Sequence, residues 1–310
     1  MHKGLLWIEI VGAVLLLGGV FWLIAQHIDV TSTHEQGGKV EVSTSFYPLA
    51  FFAQEIGGTY ADVFNITPAG AEPHDYEPTA QDMARIERSA LVVLNGGGLE
   101  AWSQNVQDNA SKNTFVVVAG EGLTDQMLEE NGHHETDPHV WLSPPLAVQM
   151  VQKISEGFIR VDPSHAEAYQ KNTTALIVRL HMLDQAYHEG LAHCANQDII
   201  TSHAAFGYLA RTYGLTQVPI AGLSPDAEPS ANTLVQIASF AKQHNVHYIF
   251  FESLVSPKLA NTLAQEVGAT TLELNPLEGL TKEELQRGDN YFTIMERNLA
   301  QLQKALLCTH

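Results

Sequence analysis

Cysteine is scarce in this 310-residue chain, and positive charge is thin. The only cysteines, Cys194 and Cys308, lie far apart with no CxxC pair. That excludes a cysteine-built zinc site and a dithiol redox motif. Lys and Arg number 16 against 35 Asp and Glu, a formal net charge of −19. So acidic a surface repels phosphate backbones, which argues against a nucleic-acid partner. The HExxH signature of zinc hydrolases is missing too, and nothing in the chain announces an enzyme. Charged residues are 16% and hydrophobic ones 45%, the balance of a compact globular protein, and the length predicts two domains.

Histidine is what the chain has in excess. There are 15, close to all the Lys and Arg combined, and imidazole is the commonest metal ligand among side chains. The N-terminus carries a second signal. Lys3 precedes an apolar stretch, Leu5–Ala25, broken only by Glu9. The run Ile10–Ala25 falls short of the roughly 20 residues that cross a bilayer, but counted from Leu5 the stretch suffices. Signal cleavage needs small residues before the cut, and Leu23-Ile24-Ala25 has Leu where one is required. No cysteine is present here to carry a lipid. The expectation is an export signal retained as a membrane-anchor helix over residues 1–28, then a polar linker over 29–38. The rest is then extracytoplasmic, with Lys3 on the inner side. In that compartment Cys194 and Cys308 could close a disulfide across the last third of the chain; two separate buried thiols are the alternative.

From Val40 onward short apolar runs alternate with helix-length segments. Strands are expected at Val40–Thr44, Asp62–Ile66, Leu91–Leu94 and Thr114–Val118, with a helix over Leu49–Ile56. A second set is expected at Ile199–Thr201, Gln217–Ile220, Tyr248–Phe251 and Thr271–Leu274. Helices accompany it near Ala204–Tyr213, Ser230–Asn245 and Pro257–Val267, and an amphipathic helix over Asn290–Leu307 closes the chain. Between the two sets no strand signal occurs. Pro144-Pro145 opens one helix and Asp162-Pro163 ends it; the same cap and first-turn proline start another that runs to His193. The expected fold is α/β, with two lobes over 39–162 and 194–310 joined by a linker helix over 163–193. In such proteins ligands sit in the cleft at the strand C-terminal ends.

Three histidines lie in comparable strand-end loops. His74 is in Glu72-Pro73-His74-Asp75-Tyr76-Glu77-Pro78, His139 in Asp137-Pro138-His139-Val140-Trp141-Leu142, and His203 in Thr201-Ser202-His203-Ala204-Ala205-Phe206. They belong to separate βα units, so only folding could bring them together. Proline beside two of them stiffens the backbone and limits what binding must order. Three imidazoles suit zinc, which binds nitrogen at about 2.0–2.1 Å in a tetrahedron. Glu278, in Leu274-Asn275-Pro276-Leu277-Glu278-Gly279, is the candidate for the fourth position, with Glu72 or a water as alternatives. Singly, a histidine beside proline is an ordinary loop residue. The set carries the argument.

These segments, together with Gly222-Leu223-Ser224-Pro225-Asp226-Ala227-Glu228-Pro229-Ser230 and the run through Leu280, closely resemble the zinc solute-binding proteins of metal ABC transporters. The resemblance runs from about Val40 to Leu307. It implies two four-stranded parallel lobes on a long rigid helix, with metal at their interface. It implies metal contacts at the positions of His74, His139 and His203, and at Glu278 in the branch with an Asn-Pro-Leu-Glu loop. The implied protein is a monomer without catalytic activity that captures Zn2+ outside the membrane and hands it to a permease subunit. Manganese and iron relatives carry Glu where this chain has His203, and Asp in the last loop, near Asn275. An amide is a poor zinc ligand. Three nitrogens favour zinc over manganese, and nickel and copper would also bind. The alternatives are a manganese- or iron-binding relative and, from another class, a zinc hydrolase, which would need an open metal position and a general base.

The remaining histidines read more plainly. His133 and His134 stand among Glu129, Glu130 and Glu135, either a solvated acidic loop or a short form of the His-rich insertion of zinc members, which could hold metal weakly. His165, His181, His188 and His193 on the linker helix are expected at the solvated surface. Glu252 ends a strand, where it could orient a ligand or cap the next helix. Trp141 and Phe206 flank candidate ligands and are expected to dry the pocket.

Overall fold

A computed structural model describes residues 38–130 and 133–309; the expected anchor and nearly all of its linker lie outside the described residues. Among the described residues no helix is long and apolar enough to cross a membrane. The first lobe is a parallel sheet of β1 (Val40–Thr44), β2 (Ala61–Asn65), β3 (Leu91–Leu94) and β4 (Phe115–Val118), in the order β2-β1-β3-β4. Its helices are α1 (Tyr47–Gly57), α2 (Ala80–Arg88) and α3 (Ser103–Asn109). β3 is apolar and buried at every position, as a central strand covered on both faces must be. An antiparallel pair follows, β5 (Met127–Glu130) with β6 (His133–Thr136). The solvated acidic loop expected around His133 and His134 thus contains a strand pair, with His134 and Glu135 exposed.

α4 (Pro144–Val161) and α5 (Ala166–Leu191) then cross to the second lobe. α5 begins later than expected, because Pro163–His165 forms a separate 3₁₀ turn. At 26 residues it is about 39 Å long. Tyr169, Thr173, Leu176, Leu180, Leu183 and Tyr187 recur every three or four residues and form its buried stripe. Off that stripe His181 and His188 are exposed, as is His193 just past the helix end, as expected. His165 departs from that expectation: it is half-buried, bonded to Asp162 at 2.6 Å and stacked on Tyr60 at 4.1 Å. His188 also has a carboxylate one turn back, Asp184 at 3.6 Å.

The second lobe has β7 (Asp198–Thr201), α6 (Gly207–Tyr213), β8 (Thr216–Pro219), α7 (Ala231–Gln243), β9 (Tyr248–Phe251), α8 (Lys258–Val267) and β10 (Thr270–Glu273). Its sheet order, β10-β9-β7-β8, is that of the first lobe read from the other edge. α9 (Lys282–Gln286) and α10 (Tyr291–Ala305) complete the chain. One apolar core runs through both lobes: Phe46, Phe52 and Trp141 of the first pack with Phe206 and Tyr291 of the second. The Tyr187 hydroxyl of α5 donates to the Met295 carbonyl of α10 (2.7 Å), and Tyr291 donates to the Trp141 carbonyl (2.6 Å). Shared burial of this kind resists hinge motion.

Cys194 and Cys308 are bonded, joining the end of the linker to the end of the chain. The bond encloses a segment of sequence separation 114, whose closure restricts the unfolded chain. Replacing both residues with Ser is expected to lower the unfolding free energy by about 2–4 kcal/mol. Urea denaturation measures this, and an unchanged midpoint would contradict it.

Candidate metal centre

Each candidate residue is held by a loop anchored on its own terms. His74 lies between β2 and α2, and Asp82 fixes that loop by capping α2. Its Oδ2 accepts from the Thr79 N–H (2.8 Å) and the Tyr76 hydroxyl (2.8 Å). The Gly70 N–H donates across the cleft to the Leu280 carbonyl (3.0 Å). His139 follows the β5–β6 pair, where Asn95 Nδ2 donates to the Pro138 carbonyl (2.9 Å). Gly97 approaches the same proline: it has φ +66°, and a Cβ there would stand 3.2 Å from the Pro138 Cα. His203 follows β7, its carbonyl held by Thr201 Oγ1 (2.7 Å) and Gln217 Nε2 (2.9 Å). Glu278 follows β10 in a loop braced by Trp141 Nε1, which donates to the Pro276 carbonyl (2.8 Å).

The four side chains converge, each offering one donor atom, with all four atoms within 4.8 Å of one another. His139 Nε2 lies 3.2 Å from His74 Nε2 and 3.4 Å from His203 Nε2. Glu278 Oε1 lies 3.1 Å from His139 Nε2, 3.0 Å from His203 Nε2 and 3.5 Å from His74 Nε2. Ligands about 2.0–2.1 Å from a tetrahedral zinc are separated by about 3.3–3.4 Å. Five measured edges fall around that value. Neutral imidazoles and a carboxylate at these spacings have unspent lone pairs facing one point, which suits a borderline-soft divalent cation.

Outer partners set which nitrogen faces inward. His139 Nδ1 donates to Asp137 Oδ1 (2.8 Å), an oxygen that also accepts the His139 backbone N–H (2.9 Å). His203 Nδ1 lies 2.8 Å from both oxygens of Glu252. A carboxylate only accepts, so Nδ1 keeps its proton and Nε2 is the nitrogen offered to metal once its own proton leaves. Sequence reasoning weighed such a role for Glu252 but missed Asp137. The signal was available, since Asp137 lies two residues before His139 across a proline.

Solvent reaches the cluster from one side. The His74 side chain is 10% exposed and those of His139, His203 and Glu278 are 0%. A cavity of about 450 Å³ opens at His74 between Asp75, Gly97, Pro138 and Ser224. Trp141 and Phe206 are buried; the Trp141 ring centroid is 5.1 Å from that of His139, so the expected drying role fits.

Burial and mutual charge set the protonation of the cluster. Burial lowers His74 below its usual value, and Glu278 only partly opposes it. Burial would do the same to His203, but Glu252 and Glu278 outweigh it and hold the imidazole well above its ordinary range. His139 is raised likewise, as Asp137 and Glu278 overcome burial. Burial opposes ionisation of Glu278, yet the three histidines pull it well below the usual carboxylate range. Glu72, the alternative to Glu278, is not among the converging groups. Its Oε1 accepts the His74 N–H (3.3 Å), and burial followed by the Glu278 charge pushes it up to about 9. Burial and the neighbouring Glu278 charge thus favour its neutral form. Asn275 is also outside the cluster.

Residues 42–305 match the family described as "Zinc-uptake complex component A periplasmic". The chain belongs to that family. It is 42% identical over 288 residues to the high-affinity zinc uptake system protein ZnuA of Bacillus subtilis, covering 89% of this chain and 90% of that protein. It is 41% identical over 281 residues to the zinc-binding lipoprotein AdcA of Streptococcus pneumoniae, matching 86% of this chain but only 56% of AdcA. The crystal structure of the Zn(II)-bound ZnuA-like domain of pneumococcal AdcA superposes with a TM-score of 0.75 at 41% identity, over 87% of this chain and 99% of that domain. The two-lobed fold expected from the sequence is thus shared with solved relatives. Family members serve in solute transport.

Proposed function

We propose that this chain captures Zn2+ outside the cytoplasmic membrane and delivers it to the permease subunit of an ABC importer. His74, His139 and His203, each through Nε2, and Glu278, through Oε1, are its ligands. The observation that carries this reading is the set of donor separations of 3.0–3.5 Å around one point, matching the edges of a zinc tetrahedron. Three nitrogens and one oxygen favour zinc over manganese, which prefers an all-oxygen shell. Four protein ligands leave no open position for a reactive water, which favours capture over hydrolysis. The zinc uptake and zinc binding of the Bacillus and pneumococcal relatives point the same way. Residues 1–28 serve as the membrane anchor, and the lobes over 39–162 and 194–310 act as one monomer. Because they share an apolar core, metal transfer relies on loop movement more than on lobe closure.

Metal analysis with competition tests this. Purified protein is expected to hold one zinc per chain and to keep it when manganese is in excess, as the nitrogen-ligand preference requires. Displacement by manganese would make the chain a manganese-binding relative, and absence of any tight metal would end the reading.

A further inference from the structure

The loop that brings Glu278 to the cluster is built around Asn275, and every hydrogen-bonding group of that residue is engaged. Its N–H donates to Asn298 Oδ1 (2.9 Å), and its carbonyl accepts from Asn298 Nδ2 (2.7 Å). Its side-chain Oδ1 accepts the Leu277 N–H (2.8 Å), closing a turn in which Leu277 takes φ +58°. Its Nδ2 donates to Ser253 Oγ (2.9 Å) and to Glu284 Oε1 (3.1 Å). The other Glu284 oxygen accepts the Thr281 N–H (2.7 Å) and caps α9. Asn275 and Glu284 are 2% exposed and Asn298 is 1%. A leucine in the left-handed region is unfavourable by itself, so this turn needs these bonds to persist. Glu278 is the next residue along.

We propose that Asn275 and Glu284 form a matched donor and acceptor pair that positions Glu278, with Glu284 dictating an amide at position 275. The inference rests on Glu278 being a zinc ligand. A carboxylate at 275 would face Glu284 as a second buried anion, open the turn and draw Glu278 out of the cluster. An amide at 284 must keep its oxygen on the Thr281 N–H, so its NH2 would meet the NH2 of Asn275. Each change alone breaks the match. Exchanging the two groups restores it, because the carboxylate at 275 can accept both from Leu277 and from the new amide at 284.

The test uses the full chain as wild type, Asn275→Asp, Glu284→Gln and the double exchange. Zinc affinity is read by chelator competition, metal geometry by the Co2+ absorption spectrum, and folding by thermal melts. Each single change is expected to weaken zinc binding about 10–100-fold and to alter the tetrahedral cobalt bands. The exchange is expected to recover at least about tenfold of that loss and the wild-type spectrum, a non-additivity that independent structural effects would not produce. Either single variant, folded and with wild-type affinity and spectrum, overturns the pairing. So does an exchange no better than the weaker single variant. If the single variants do not fold, the exchange alone decides: near wild-type binding supports the pair, and loss of binding rejects it. A wild type that binds no zinc, or a Glu278→Gln variant that binds it equally well, instead refutes the ligand reading beneath the proposal.

Discussion

Replacing His203 with Ala is expected to weaken zinc binding by at least about a hundredfold, because loss of even an outer partner of a metal ligand costs about 10–100-fold. The substitution removes one of four donors and does further damage through the groups left behind. His203 stands between Glu252 and Glu278, both within 3.0 Å of its ring nitrogens. Without the imidazole these carboxylates face each other across the gap it leaves, and Glu278 loses the largest influence that keeps it ionised. A protonated Glu278 is a poor ligand, so the remaining site is compromised as well. Chelator competition on wild type and His203→Ala checks this directly. An unchanged affinity would remove His203 from the site.

Zinc affinity is also expected to fall steeply with acidification, beginning at a higher pH than unperturbed imidazoles at about 6.5 would give. Protons and zinc compete for the same Nε2 lone pairs. His203 and His139 are held above their ordinary range by Glu278 and their carboxylate partners, so they take up protons first as pH drops. With both protonated, affinity should fall by up to about a hundredfold per pH unit, since two protons leave for each zinc bound. His74 is shifted the other way and adds its proton only at lower pH. The sign for the metal-free fold is opposite. Raised histidines stabilise it at low pH and lose that contribution as pH rises through their folded values. The depressed Glu278 contributes above the ordinary carboxylate range and loses that contribution as pH falls through its folded value. Metal-free protein should therefore lose the contribution of His139 and His203 in alkali and that of Glu278 in acid. Titration calorimetry in buffers of different ionisation enthalpy counts the protons released. Release of none would contradict the protonation described here.

Strand periodicity carried most of the fold. All eight strands of the two parallel sheets were expected within a residue or so of where they lie, because such strands are short runs rich in apolar and β-branched residues between turn signals. Pro144-Pro145 and Asp162-Pro163 bounded α4 because proline acts locally. The β5–β6 pair escaped notice because its strands are charged and lack alternation, although Asn131-Gly132 between them is the usual sign of a two-residue hairpin loop. α2 was overlooked too, despite the capping pair Thr79 and Asp82.

The chain itself determined its acidity, its supply of histidine, the α/β alternation and the two distant cysteines, since these are properties of composition and of neighbours in sequence. Motif resemblance singled out His74, His139, His203 and Glu278. Tertiary structure alone decided that four donors from four loops lie within 4.8 Å of one another, that burial and the Glu278 charge raise Glu72 beside them, and that Asp137 and Glu252 aim two of the rings. Such facts depend on burial and on charges brought close across the cleft. Both are interactions through space, and no local pattern encodes them.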